Sequence, residues 1–91
     1  MKEEIHVNVK GRVQLVMFRD FTQRKARSNN IVGTVTNLPD GSVDVHAQGE
    51  KKDLDKFLEK LHRGPVLARV DNVTISKSQK LNEYSGFSII F

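Results

Sequence analysis

The sequence contains no cysteine. That excludes disulfides, thiolate metal sites and cysteine nucleophiles, and it leaves a packed core as the only source of stability. No apolar run approaches the roughly 20 residues that cross a bilayer, so no membrane partner is expected. The opening residues, Met1-Lys2-Glu3-Glu4-Ile5, are charged and lack the apolar stretch of a secretory signal. A cytoplasmic location is the expectation. Repeats, linkers and low-complexity stretches are also missing, and the 91 residues read as a single domain, 1–91. The histidines are His6, His46 and His62. No acidic or histidine set at metal-ligating spacing accompanies them along the chain, so no metal is expected. A serine nucleophile elbow is absent as well.

Hydrophobic residues make up 37% of the chain and charged residues 29%, a mixture that suits a soluble globular domain. The formal net charge of +4 favours anionic partners. The charges are spread, however. The longest basic cluster is Gln23-Arg24-Lys25-Ala26-Arg27, and it reads as a solvated surface.

Hydrophobic periodicity divides the chain into short elements. Ile5, Val7 and Val9 alternate with His6, Asn8 and Lys10, as in a half-buried strand ended by Gly11. A connection over 12–17 leads to a helix from about Phe18 to Ser28, with Phe18, Phe21, Thr22 and Ala26 on or near one face. Ser28-Asn29-Asn30 reads as its exit, because asparagine tolerates the left-handed conformation. Ile31 to Asn37 is a second strand, and Leu38-Pro39-Asp40-Gly41 is a hairpin turn. Val43, Val45 and Ala47 mark a third strand, closed by Gly49. Leu54, Phe57, Leu58 and Leu61 form the apolar stripe of a second helix from about Lys51 to His62, stopped by Gly64-Pro65. A fourth strand covers roughly Ala68 to Lys77, with Val70, Val73 and Ile75 as its candidate inward residues. The broken alternation between Val70 and Val73 predicts a bulge or a bend. Leu81 to Gly86 is a polar loop, and Phe87, Ile89 and Phe91 alternate in a short final strand at a sheet edge.

This order predicts an α+β, ferredoxin-like β-α-β-β-α-β sandwich. Two helices would lie on one face of an antiparallel sheet, with a short C-terminal strand added. The topology alone does not assign a function. RNA recognition motifs share it and stack bases on exposed aromatics. The central strands here carry Val7, Val9, Val43 and Val45 and no exposed aromatic, so no nucleic-acid partner is expected.

Two segments carry candidate chemistry. Gly11-Arg12-Val13-Gln14-Leu15-Val16-Met17-Phe18-Arg19 lies between a strand and a helix. A loop entering a helix presents unpaired N–H groups and the positive end of the helix dipole, which is a phosphate-binding arrangement. Arg19 can add a bidentate guanidinium. Every strand-to-helix junction has free amides, so a plain connection with a surface arginine remains open at this point. The second segment runs from Gly33 through Asn37 to Gly49. The Asn37 amide can donate and accept at once, which suits positioning a water. Before a turn, asparagine also commonly bonds its own backbone.

Together the two segments resemble the acylphosphatase family. Its first signature, G-x-V-Q-G-V-x-F-R, is matched by G-R-V-Q-L-V-M-F-R. Its second, G-aromatic-V-x-N-x-x-x-G-x-V-x-x-x-x-x-G, is matched by G-T-V-T-N-L-P-D-G-S-V-D-V-H-A-Q-G. Gly64-Pro65 followed by Ala68-Arg69-Val70 is similar to the segment that follows the family's second helix. The resemblance implies hydrolysis of a small acyl phosphate to a carboxylate and inorganic phosphate, without metal or cofactor. It also implies that Arg19 and backbone amides of Gln14, Leu15, Val16, Met17, Phe18 and Arg19 hold the phosphate, and that Asn37 orients the attacking water. A monomer is the default expectation. Two positions depart from the pattern. Leu15 stands where the family has the loop glycine, which opens the alternative of an impaired domain that only binds an anion or a partner. Thr34 replaces an aromatic, which is expected to reduce stability near the core edge. Asp20 is expected to favour the first-turn dipole of its helix rather than to compete for Arg19.

Overall fold

The computed structural model describes residues 2–14 and 17–91. Their order is β1 (Lys2–Arg12), α1 (Phe18–Ser28), β2 (Val32–Asn37), β3 (Val43–Glu50), α2 (Lys51–Arg63), β4 (Arg69–Lys77) and β5 (Phe87–Ile90). The strands form one sheet in the order β4-β1-β3-β2-β5. β1 is antiparallel to both β3 and β4, and β2 is antiparallel to β3. β1 and β2 therefore run parallel to each other with β3 between them, and β3 and β4 run parallel around β1. Each such pair needs a crossover, and α1 and α2 supply the two. Both helices pack over the same core and against one another.

The alternation read from the sequence fixes which face they cover. Val7, Val9, Val35, Val43, Val45 and Ala47 are fully buried beneath Phe18, Ala26, Phe57 and Leu61. His6, Asn8, Thr34, Thr36, Asp44 and His46 lie on the opposite, helix-free face and are half-buried. The valines that served above to describe the central strands are thus sealed inside, and the accessible face of β1 and β3 is polar.

The sheet differs from the expectation at several points. It is mixed, because β5 pairs parallel to β2 along Gly33 to Thr36. The polar 78–86 segment carries the chain back across the sheet so that β5 enters from the other direction. Gly11 does not end β1. It sits at the register shift where Lys10 pairs with Asn72 and Gly11 with Val70, so Asp71 is the extra residue of a bulge. At Gly11, φ is 134°, and a Cβ would overlap the backbone carbonyl of Arg69. Likewise β3 runs through Gly49 to Glu50. Ile75 lies on the edge strand and is exposed, whereas Val70 and Val73 pack on the core. Phe91 falls past the end of β5 and is 94% exposed. Thr34 faces the open side between His46 and Ser88 rather than the core edge.

One buried group had no precedent in the pattern. Glu4 is only 2% exposed although it belongs to the charged opening segment. The 78–86 segment folds over it: the backbone N–H and side-chain amide of Asn82 donate to its carboxylate at 2.8 and 2.7 Å, and Tyr84 Oη–H donates at 2.9 Å. Gln48 Nε2 adds a longer bond of 3.2 Å and also donates to the Asn82 carbonyl. Burial alone would raise the Glu4 pKa, but these donors outweigh it and hold the carboxyl below its ordinary value. Burial, and then the bond to Glu4, raise the Tyr84 pKa.

Candidate active site

Because β1 and β2 are parallel, their C-terminal ends lie at the same end of the sheet. The segment leaving β1 for α1 therefore meets the hairpin that leaves β2, and the two sequence segments come together. Val13, Met17, Phe18, Arg19 and Asn37 line one cavity of about 240 Å³. A wider hollow of about 540 Å³, lined by Asp55, Leu58, Glu59, His62 and Arg63, is shallow surface on the outer side of α2 and has none of these features.

The start of α1 leaves backbone N–H groups without a side-chain cap. Met17 occupies the Ncap position in the left-handed region, with φ 62° and ψ 28°, and no side chain caps the helix. The first intrahelical bond is Phe21 N–H to the Met17 carbonyl, so the amides of the preceding turn have no helical acceptor. A left-handed residue followed by helical ones aims successive N–H groups into one concavity. Methionine pays a conformational penalty to stand there, roughly 1–2 kcal/mol. Leu15 and Val16, two further positions where loop amides were expected, lie outside the described residues.

Arg19 projects from the first turn, half-buried, with its guanidinium 4.8 Å from the centre of the Phe91 ring. Asp20 does not compete for it. Its carboxylate accepts a bond of 3.0 Å from Arg24 Nε one turn on. Among the described residues no carboxylate pairs with Arg19, so its charge is available to an anion.

Asn37 ends β2. Its Oδ1 is buried, and among the described residues it is a side-chain oxygen without any donor. The turn is instead held by Asp40, which accepts from the Ser42 amide at 2.9 Å and the Ser42 hydroxyl at 2.6 Å. Those two bonds lower the Asp40 pKa. The local-bonding role open to Asn37 thus falls to Asp40. Gln14 enters through its side chain: Nε2 donates to the carbonyls of Leu38 and Ser42, both at 2.8 Å, and ties the loop after β1 to the hairpin after β2.

The acylphosphatase family model matches residues 5–89 of this sequence. The chain belongs to the acylphosphatase family. It is 46% identical over 86 residues to the acylphosphatase of Oceanobacillus iheyensis, covering 93% of this chain and 94% of that one. It is 51% identical over 81 residues to the acylphosphatase of Thermus thermophilus, covering 89% and 91%. Its fold superposes on the crystal structure of acylphosphatase from Bacillus subtilis with a TM-score of 0.95, 33% identity and complete coverage of both chains. The enzyme reading, hydrolysis of acyl phosphates, holds over that of a domain impaired at Leu15.

The structure places Met17, Phe18, Arg19 and Asn37 around one cavity, with Gln14 bonded to the hairpin beside it. Sequence reasoning missed Val13 as a cavity wall, Phe91 beside Arg19 and the side-chain role of Gln14. The Gln14 role had a signal in the fixed spacing of the motif. The left-handed Met17 had none, since methionine ordinarily avoids that conformation.

Proposed function

We propose that an acyl phosphate binds with its phosphoryl oxygens on the Arg19 guanidinium and the free amides at the start of α1, and that Asn37 holds the attacking water. The observation that carries this reading is the buried, unpartnered Oδ1 of Asn37 in the same cavity as Arg19. A buried acceptor without a donor costs about 1–3 kcal/mol, and a water O–H removes that deficit.

The step balances without a metal. The water oxygen bonds to phosphorus and the bond from phosphorus to the acyl oxygen breaks. The carboxylate leaves with the electron pair, and the water proton passes to a phosphoryl oxygen. A carboxylate is a good leaving group, so no strong base is required of the protein. Its work is positioning and stabilising charge on the equatorial oxygens. Gln14 keeps the phosphate end and the water end in register by clamping loop to hairpin. The reading includes a cytoplasmic monomer acting on a small substrate and not on nucleic acid. No helix among the described residues is long and apolar enough to cross a membrane.

Turnover of benzoyl phosphate in ¹⁸O-labelled water, with a chelator present, tests the reading. Attack at phosphorus places the label in inorganic phosphate. Label in benzoate, or turnover that the chelator stops, would overturn it.

A further inference from the structure

On the helix-free face, β1 and β3 bring together residues that are far apart in sequence. His6 and His46 are direct cross-strand partners, and Asp44 lies two residues before His46 on the same face. The imidazoles are stacked, with ring centres 4.6 Å apart and planes 8° from parallel. Both turn Nε2 toward one carboxylate: His6 Nε2 is 2.7 Å from Asp44 Oδ1, and His46 Nε2 is 3.5 Å from Asp44 Oδ2. One ligand atom from each residue lies within 4.8 Å of the others. The chain spacing showed no such set, because the acidic member joins only when the strands pair.

We propose that His6, His46 and Asp44 form a binding site for a divalent transition-metal ion such as Zn²⁺ or Ni²⁺, separate from the hydrolytic cavity. Two imidazole nitrogens and a carboxylate oxygen are a donor set for these ions, with water completing the shell. Zinc–ligand distances near 2.1 Å put tetrahedral donors roughly 3.4 Å apart, so the widest pair must close by at most roughly 1.4 Å. The rings have room to splay out of their stack, since each histidine side chain is 42% exposed. The carboxylate is the fixed member. It is 13% exposed and accepts a bond of 3.2 Å from Asn8 Nδ2, which also donates to Ser42 Oγ. Such an outer partner orients a ligating carboxylate. In the same cross-strand row, Thr34 and Ser76 flank the histidines, and neither brings a competing positive charge. The ion would replace the proton between His6 and Asp44 and fasten the two central strands on their open side.

Chelator-stripped full-length protein should be titrated with Zn²⁺ by equilibrium dialysis, and with Ni²⁺ by ¹⁵N–¹H NMR. The expected result is one Zn²⁺ per chain, with affinity reduced at least about tenfold in His6→Gln and in His46→Gln and unchanged in His62→Gln. In the unaltered protein, paramagnetic broadening by Ni²⁺ should centre on residues 6, 44 and 46, a readout that needs no variant to fold. Broadening centred on His62 or on the chain terminus would overturn the proposal. So would Zn²⁺ affinity that survives both glutamine substitutions, or an absence of binding to the parent.

Discussion

Replacing Asn37 by alanine should cut turnover steeply while leaving the protein at least as stable as before. The buried Oδ1 of Asn37 has no donor, and a group in that state costs the fold about 1–3 kcal/mol. Alanine removes the cost. It also removes the contacts of a half-buried side chain, worth about 1 kcal/mol. The net change should fall between about zero and a gain of about 2 kcal/mol, a Tm unchanged or raised by up to about 15 °C. Turnover follows different arithmetic. Loss of a positioned hydrogen-bonding group from a reacting centre lowers kcat about 10²–10³-fold, or about 2.7–4 kcal/mol of barrier. Steady-state benzoyl phosphate hydrolysis and thermal melting followed by circular dichroism should be measured on the same preparations. A Tm lowered by more than about 10 °C would make Asn37 a structural residue. Turnover within threefold of the parent would remove it from the chemistry.

Two further outcomes follow from side chains outside that cavity. Glu4→Gln should destabilise the protein by about 2–3 kcal/mol at pH 7, because the carboxylate is buried beneath several donors. The folded carboxyl titrates below its ordinary 4.5, so its contribution is present above that pH and lost as pH falls through the folded value. Urea unfolding from pH 7 to pH 3 should therefore show the gap between parent and variant narrowing in acid, and a constant gap would contradict the assignment. Gln14→Ala strips the donor from the Leu38 and Ser42 carbonyls and should cost about 1–3 kcal/mol. It should also lower kcat by loosening the hairpin after β2 against the loop after β1; an unchanged kcat would show that the clamp does not matter to turnover.

Much of the fold was legible because periodicity carries it. α1 spans the expected Phe18–Ser28, the Leu54, Phe57 and Leu61 stripe is buried, and the bulge or bend expected between Val70 and Val73 is a bulge opposite Gly11. What local pattern does not encode is who covers the second face of a sheet. Glu4 belongs to a charged opening segment, yet a loop almost eighty residues away in sequence buries it. The direction of β5 was equally invisible, since Phe87 and Ile89 would alternate the same way in either orientation. The candidate site was legible through its two spaced segments. Its Gln14 clamp forms only once β1 and β2 lie parallel, and the Phe91 ring reaches Arg19 only because β5 pairs with β2. The same holds for Asp44 beside the two histidines, where strand register, not sequence spacing, assembles the group.

In the proposed function, Arg19 and the start of α1 hold the phosphoryl group of an acyl phosphate. The most direct test of that reading is hydrolysis of benzoyl phosphate by the parent and by Arg19→Ala, in chelator, with inorganic phosphate as a competing ligand. Metal-free turnover by the parent, inhibited by phosphate, is expected, with loss of most activity and of phosphate affinity in a variant that remains folded. A folded Arg19→Ala protein that keeps full turnover would contradict it.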